Sequence, residues 1–239
     1  SGIQFYEYAV GTSPGATDVK DWTSTGEDNS ITDVSFSLED EETYYVSVRV
    51  TDNVFNVSGI ITTDGITTDH TGPDGYWAVD GDSTDIDRQN YTDYYQGYWS
   101  LFTDGISGLN RHEYALYDIT DADYYLLWTD AGLDTSVVLT DLELTVDHVY
   151  QLHVRGVDSV ENIGPTVISD GVLVDQSAPV APQNLVGFFS SERIRLIWDP
   201  SPEEDFAFYT VYAGTEPEPT TAVLQIESSE AEAFVEGFQ

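Results

Sequence analysis

The chain has 239 residues, of which 44 are Asp or Glu and only 7 are Lys or Arg, so its formal net charge is −37. A surface this negative repels a phosphate backbone and an anionic bilayer, which makes nucleic acid and anionic membranes poor partners and favours cations; no apolar stretch is long enough for a membrane span. Hydrophobic residues make up 40% of the chain, enough to bury a core, and the absence of cysteine excludes disulfides and thiol chemistry.

Residues 1–73 recur later in the chain at a constant offset of 106 positions. The shared positions are mostly aromatic, acidic, glycine and arginine residues: Ser1-Gly2, Glu7-Tyr8-Ala9, Trp22-Thr23, Tyr44, Val48-Arg49, Asp52, Asn56, Asp64-Gly65, Asp69 and Pro73 reappear as Ser107-Gly108, Glu113-Tyr114-Ala115, Trp128-Thr129, Tyr150, Val154-Arg155, Asp158, Asn162, Asp170-Gly171, Asp175 and Pro179. A gapless repeat of this length indicates one packing unit copied in series. The sequence therefore predicts a tandem array with domains at 1–73, 74–179 and 180–239.

The first unit, residues 1–73, is predicted to start at its third strand. Residues 74–106 of the second unit, which hold its first two predicted strands and Trp99, have no counterpart before Ser1. A sandwich without those strands would expose apolar core and sheet edges. Two interpretations stay open: the sequence is an excerpt of a longer array, or another chain supplies the missing strands, as in donor-strand polymers.

Four aspartates follow close together, at Asp80, Asp82, Asp85 and Asp87. Hard oxygen ligands at alternating positions suit Ca²⁺. The spacing departs from an EF-hand loop, because Asp85 and Tyr91 stand where such a loop has its glycine and its last acidic ligand. A calcium site and a solvated aspartate-rich turn both stay open. Ca²⁺ is the one cofactor that the sequence suggests, and none is required.

The second unit contains seven runs in which apolar residues alternate with polar ones. These runs are Asp74 to Val79, Tyr94 to Phe102, Leu109 to Tyr117, Tyr124 to Trp128, Ser136 to Leu144, Val149 to Val157 and Val167 to Val174. Clusters of Asp, Gly, Asn, Ser and Pro separate them, and no window carries a helical apolar stripe. The pattern predicts an all-β, antiparallel sandwich.

Both of the first two units carry a leucine, five further residues and then a tyrosine that opens an alternating strand. The pairs are Leu38 with Tyr44 and Leu144 with Tyr150. This pattern resembles the fibronectin type III and related Ig-like sandwich families. In those families the tyrosine forms a corner, in which its hydroxyl bonds to upstream backbone. The resemblance implies tandem β-sandwiches, an architecture that hosts many functions.

The third unit looks like strands A, B and C of a fibronectin type III module. The matching segments are Pro182 to Leu185, Leu196 to Pro200 and Phe208 to Tyr212. Trp198 is predicted to be its core tryptophan, as Trp99 is for the second unit. No tyrosine-corner strand follows, so both terminal domains are predicted to be incomplete.

Alternation along neighbouring strands places a carboxylate and an arginine on the same outer face of each repeat. Glu113 is expected opposite Arg155, and Glu7 opposite Arg49, as a recurring cross-strand ion pair that contributes roughly 0.2 to 1 kcal/mol. The sequence contains no catalytic serine, zinc, phosphate-loop or dinucleotide motif, so we do not expect an enzyme.

The sequence thus favours an extracellular, secreted or cell-surface array of bacterial type that acts as a spacer or adhesive element, stiffened by calcium at its acidic loops. Its partners would be other proteins or glycans at a surface, or copies of itself, without nucleic acid or membrane insertion. Two further interpretations stay open. One is an accessory carbohydrate- or protein-binding module of a larger secreted enzyme or receptor, with exposed aromatic residues as the binding face. The other is a filament subunit assembled by strand donation.

Overall fold

A computed structural model describes residues 2–190, 193–203, 205–227 and 231–236. Their regular structure is entirely β-strand, and the strands pair antiparallel with one exception, so the predicted all-β class is confirmed. None of these described residues belongs to a helix that could cross a bilayer. The chain divides into two compact units, Ser1–Gln176 and Ser177–Gln239.

The first repeat forms one five-stranded sheet. Its strands are β1 (Ile3–Gly11), β2 (Lys20–Gly26), β3 (Thr43–Asp52), β4 (Ile61–Thr62) and β5 (Ile66–Thr67). The order is β2-β1-β3-β4, and β5 also pairs with β3. A small core of Tyr8, Val10 and Tyr44 lies on one face of this sheet. Described residues 2–73 contain no second sheet to cover the rest of that face.

The second repeat forms two sheets. Its strands are β6 (Ala78–Asp80), β7 (Arg88–Gln89), β8 (Tyr94–Trp99), β9 (Leu109–Asp118), β10 (Asp123–Gly132), β11 (Ser136–Thr140), β12 (Val149–Asp158), β13 (Val167–Ile168) and β14 (Val172–Val174). The three-stranded sheet has the order β11-β8-β6, and the six-stranded sheet has the order β10-β9-β12-β14-β7 with β13 also on β12. This is the two-layer arrangement of fibronectin type III and Ig-like sandwiches.

The strands of the second repeat lie where the seven alternating runs predicted them, with two differences. Strand β7 was not predicted, and it pairs parallel with β14, so the chain changes sheets after β6. The last predicted strand is split into β13 and β14, because Gly171 adopts a φ of 106° that interrupts the strand. Gly65 repeats this break in the first repeat, with a φ of 103°.

The core of the second repeat lies between its two sheets. Along β8 the buried residues are Tyr95, Gly97 and Trp99, while their neighbours point outward. They pack against Leu152 and other inward side chains of the six-stranded sheet. The first repeat has a separate, smaller cluster of buried residues. The two repeats nevertheless belong to one compact unit, since they share the junction described below.

The unit Ser177–Gln239 also forms two small sheets. Its strands are β15 (Val186–Ser190), β16 (Arg193–Ile197), β17 (Tyr209–Tyr212), β18 (Ala222–Ile226) and β19 (Glu232–Glu236). The orders are β15-β16-β19 and β17-β18. The predicted core residue Trp198 is buried against Tyr209, with ring centroids 5.0 Å apart. An apolar cleft of about 1040 Å³ opens beside these two rings.

Tyrosine corners lie at the start of β3 and β12, where the sequence predicted them. The Tyr150 hydroxyl accepts a hydrogen bond from the Thr145 backbone N–H at 2.9 Å. The Tyr44 hydroxyl accepts one from the Glu39 N–H at 2.7 Å. Both rings are buried in their cores, so each tyrosine joins the core of its repeat to the loop before the strand.

We predict that Tyr150→Phe lowers the free energy of unfolding of the second repeat by about 1 to 3 kcal/mol, because the partly buried Thr145 N–H loses its acceptor. Urea unfolding followed by tryptophan fluorescence measures this change. Tyr91→Phe is the control, since Tyr91 is exposed. Equal stability of the two variants would contradict a structural role for the corner.

Candidate functional sites: the acidic groups and the repeat junction

The Glu and Arg residues of each repeat form a cross-strand pair on the outer face of the sheet. Arg49 lies opposite Glu7, and its Nε donates to Glu7 Oε2 at 2.7 Å. Arg155 lies opposite Glu113, with Nη2 donating to Oε2 at 2.7 Å. The pairs are about three-quarters buried or more, which shields them from screening better than a fully exposed pair.

A tryptophan completes each pair, and this contact was not predicted from the sequence. The Arg49 guanidinium lies 4.2 Å from the ring centre of Trp22, and that of Arg155 lies 4.1 Å from Trp128. A cation over an indole face is a favourable contact. The Trp-Thr pair that recurs at the 106-residue offset was the sequence feature that could have indicated this contact. Each Arg contacts both a carboxylate and an aromatic face. The three residues therefore form a structural element of the sheet.

Asp80 is the most buried carboxylate of the predicted metal group. It ends β6, and its side chain reaches across to the other sheet. It accepts hydrogen bonds from the Tyr95 hydroxyl, from Ser169 Oγ at 2.9 Å and from the Gly171 N–H at 2.9 Å. Burial raises the pKa of Asp80 to about 6 against the effect of these donors. Asp80 therefore ties β6 and β8 to the break between β13 and β14.

The structure brings only two of the four predicted metal ligands together. Asp80 and Asp85 lie near Asp170, with one carboxylate oxygen of each within 4.8 Å of the others. Asp82 is exposed and accepts the Ser83 N–H at 2.6 Å, and Asp87 lies outside the group. Since Asp80 already accepts three hydrogen bonds from the protein, a cation would have to displace those donors. Calcium at this turn stays a prediction.

A second acidic group lies where the first repeat meets the second. Asp69 of the first repeat lies near Asp104 and Asp158 of the second, again with carboxylate oxygens within 4.8 Å of one another. The Ser107 N–H donates to Asp69 Oδ2 at 3.1 Å. The hydrogen bond from Ser107 lowers the pKa of Asp69. Burial raises the pKa of Asp158, but hydrogen bonds from Asn162 and Val160 outweigh it, so this pKa is also lowered overall.

Asn162 links the same group to the backbone of the first repeat. Its Nδ2 donates to the Asp69 carbonyl at 3.0 Å and to the Thr71 carbonyl at 3.3 Å. It also donates to Asp158 Oδ2 at 2.8 Å, within the turn that follows β12. The equivalent Asn56 of the first repeat bonds to Asp52 in the same way. The turn that contains Asn162 therefore has two roles in the second repeat. It closes on itself through Asp158, and it binds the backbone of the first repeat.

Backbone segments of the two repeats approach so closely at this junction that side chains are excluded. A Cβ on Gly72 would lie 2.3 Å from the Gly164 nitrogen, and a Cβ on Gly164 would lie 1.8 Å from the Pro73 carbonyl oxygen. A Cβ on Gly156 would lie 2.7 Å from the Pro73 ring. The positions equivalent to Gly156 and Gly164 in the first repeat are Val50 and Ser58. The glycines are therefore specific to this junction.

A third acidic group contains a histidine. His148 Nδ1 lies 2.7 Å from Asp118 Oδ2, and Asp121 lies beside this pair. The hydrogen bond with Asp118 raises the pKa of His148. Burial raises the pKa of Asp118, but hydrogen bonds from His148 and nearby backbone outweigh it, so the pKa is lowered overall. Protonated His148 and ionised Asp118 stabilise each other beside the Tyr150 corner.

The outer face of the six-stranded sheet carries an aromatic cluster. Tyr117 stacks on His153 with ring centroids 5.1 Å apart, and Tyr124 packs edge-on against both. Trp128 completes the cluster at 6.3 Å from Tyr124. In the first repeat, Gly11, Asp18 and Ser47 replace Tyr117, Tyr124 and His153. This face therefore distinguishes the second repeat from the first.

No protein-family model matches the chain, and no curated protein matches it. Among solved structures, the chain is similar to the crystal structure of the FN1–FN3 domains of chicken CNTN1. The identity is 15% over 99% of this chain and 79% of that chain, with a TM-score of 0.37. A superposition at this level does not inform function, and the assignment to β-sandwiches follows from the strand order of the chain itself.

We predict that the stability difference between the native protein and Asp80→Asn depends on pH. The folded-state pKa of about 6 lies above the value of about 3.9 expected in the unfolded chain. The protonated carboxyl therefore favours folding below about pH 4, and this contribution is lost as pH rises through about 6. Urea unfolding of both proteins between pH 4 and 7 measures this difference. The free energy of unfolding of the native protein minus that of Asp80→Asn should fall by up to about 3 kcal/mol over this range.

Asp82→Asn is the matched control for this prediction, because Asp82 is an exposed aspartate of the same turn. Its difference from the native protein should stay nearly flat over the same pH range. If the stability difference for Asp80→Asn is also independent of pH, burial does not raise the pKa of Asp80.

Proposed function

We propose that the chain is a non-catalytic, extracellular repeat array that acts as a stiff spacer or adhesive element at a cell surface. The observation that carries this proposal is the junction between the first and second repeats. Adjacent domains joined by a simple linker move relative to each other. Here Asn162, Ser107 and the glycine contacts connect the two repeats through hydrogen bonds and direct backbone packing.

The chemistry of the polar groups supports a structural role. Asp80 secures two sheets, Asp158 and Asn162 secure a turn and the junction, and Glu113 secures Arg155. Each group is held by partners within the protein, which suits a structural module better than a catalyst that must bind and release substrate. The fold class agrees with this role, although β-sandwiches host many functions.

An accessory binding module is the second candidate, and the aromatic cluster of the second repeat favours it. Tyr124 and Trp128 are partly exposed there, and aromatic faces stack on sugar rings. Binding of the labelled protein to an array of immobilised glycans would support this candidate if Tyr124→Ala abolished the binding. Proteins, glycans and copies of the chain are the proposed partners, and the charge of −37 opposes nucleic acid and anionic membranes.

We predict that Gly72→Ala loosens the junction, because its Cβ would collide with the backbone of Ile163 and Gly164. Alanine is the residue found at the equivalent position 178. The chain has no cysteine, so Ser24→Cys and Ser136→Cys provide two unique positions for spin labels, one on each repeat. The distribution of distances between these labels should be narrow in the otherwise native chain and broad in Gly72→Ala.

Gly59→Ala is the control for this experiment, since a Cβ there would meet nothing within 4 Å. It should leave the label distances unchanged. If Gly72→Ala and Gly59→Ala give the same narrow distribution, the backbone contact does not set the stiffness and the spacer proposal loses its main support.

We also predict that calcium stiffens the junction by binding among Asp69, Asp104 and Asp158. Millimolar CaCl₂ should raise the melting temperature and narrow the label distances further, because a cation offsets the mutual repulsion of three carboxylates. NaCl at equal ionic strength is the control for screening. Equal effects of the two salts, or no effect of either, would remove calcium from the mechanism and leave the hydrogen-bonded junction in place.

A further inference from the structure

Strand β11 of the second repeat has backbone groups that no neighbouring strand satisfies. It ends the order β11-β8-β6, and it pairs with β8 from Ser136 opposite Tyr98 to Thr140 opposite Tyr94. No strand of the described residues lies on its other side. This open edge belongs to the repeat that has both of its sheets, away from the ends of the chain.

The hydrogen-bond register identifies which backbone groups of β11 point to the open edge. The Trp99 N–H donates to the Thr135 carbonyl at 2.9 Å, so these two residues form a hydrogen-bonded pair. Hydrogen-bonded and non-hydrogen-bonded pairs alternate along antiparallel strands. Val137 and Leu139 therefore bond to β8. The residues whose N–H and C=O groups point to the open edge are Ser136, Val138 and Thr140.

Other edges of the second repeat carry features that hinder edge pairing, and β11 does not. Strand β10, at the edge of the six-stranded sheet, has three register shifts against β9. Strands β6 and β7 are only three and two residues long. By contrast, β11 pairs with β8 without a shift and contains no proline and no charged residue. Because short, bulged or charged edges resist the addition of a strand, β11 is the described edge of this repeat that suits one best.

The side chains of β11 also suit pairing with a further strand. Val137 and Leu139 pack against the core and hold β11 in place. Val138 points outward and is 56% exposed, between the exposed Ser136 and Thr140. Valine and threonine favour the extended conformation and pack well against β-branched residues of a neighbouring strand. A strand added here would therefore cover Val138 as well as bond to the backbone.

Acidic residues flank the open edge at both ends. Asp134 precedes β11 and Asp141 follows it, and both are exposed. Between Arg111 and Arg155 the sequence has nine Asp or Glu and no Lys or Arg. This charge attracts a strand that carries Lys or Arg at its ends and repels an acidic one. It also opposes a second copy of the chain, because antiparallel pairing of two β11 strands would place the acidic ends of both copies side by side.

We propose that β11 is a docking edge for an extended, basic segment of another protein, which adds to the three-stranded sheet as a fourth strand. The backbone of this segment bonds to Ser136, Val138 and Thr140, and its β-branched side chains pack beside Val138. Its Lys or Arg residues lie beside Asp134 and Asp141. The proposal goes beyond the spacer role, which depends on the junction between the repeats, and it holds or fails independently of that role.

The test uses the full chain and the synthetic peptide KKTVTVTKK. Calorimetry measures binding, and amide hydrogen exchange followed by NMR locates it. We expect saturable binding that slows exchange at Ser136, Val138 and Thr140. The amides of Val137 and Leu139 should change little, because they already bond to β8. The control peptide KKTVPVTKK should bind at least about tenfold more weakly, since its central proline interrupts a paired strand.

One variant of the chain tests the backbone of the edge. Val138→Pro removes an N–H that points to the open edge and no hydrogen bond to β8, so the native sheet keeps its pairing. It should weaken binding of KKTVTVTKK by at least about tenfold. Val138→Thr keeps the N–H and is the matched control, which should bind as the native chain does. Circular dichroism shows whether each variant is folded.

A second variant tests the charge and leaves the strand unchanged, so the proposal stays testable if Val138→Pro does not fold. Asp134→Asn combined with Asp141→Asn should weaken binding by at least about fivefold at low ionic strength, and added NaCl should reduce the difference. Asparagine tolerates the positive φ of 58° at position 141. Asp82→Asn, at an exposed aspartate of another turn, is the control and should leave binding unchanged.

Four results would overturn the proposal. The first is no saturable binding of KKTVTVTKK, or equal binding of the proline peptide. The second is slower exchange confined to residues outside β11. The third is undiminished binding by a folded Val138→Pro or by the double asparagine variant. The fourth is a dimer of the chain alone that Val138→Pro dissociates, which would assign the edge to a second copy.

Discussion

A β-sheet whose strands alternate apolar and polar side chains must bury its apolar face, and this constraint organises the whole chain. The second repeat meets it with its own second sheet, so that Trp99 and Tyr150 lie in one continuous core. The first repeat has the same sheet with only a small core around Tyr8 and Tyr44. In Ser177–Gln239 the core around Trp198 borders a large apolar cleft. Among the described residues, the second repeat therefore buries this face most completely.

The large negative charge does not conflict with folding, because many carboxylates replace missing backbone partners. Asp52 and Asp158 each accept two backbone N–H groups of a tight turn, and Asp104 accepts three. Short acidic side chains suit this task, since they reach the backbone a few residues onward. Asp80 extends it over a longer range by joining two sheets. The high aspartate content is therefore partly explained by carboxylates that accept hydrogen bonds from the backbone of turns.

The junction shows how a repeat acquires an individual role. Asn56 and Asn162 make the same bond to an aspartate in their turns, and Asn162 also bonds to the backbone of the first repeat. The glycines at 156 and 164 make this possible, because Pro73 packs where other side chains would stand. The copies therefore share a scaffold and differ at the contact surface.

The sequence by itself determined the features that depend on local periodicity and on the copied register. These are the β class, the strand positions, the tyrosine corners and the outer Glu and Arg pairs, because alternation and the 106-residue offset place each residue on a face. Only the tertiary structure decided that Asp170, and not Asp82, lies beside Asp80, that β7 joins the opposite sheet, and that Gly72 touches Gly164. These contacts join segments far apart in sequence, and no local pattern encodes where such segments meet.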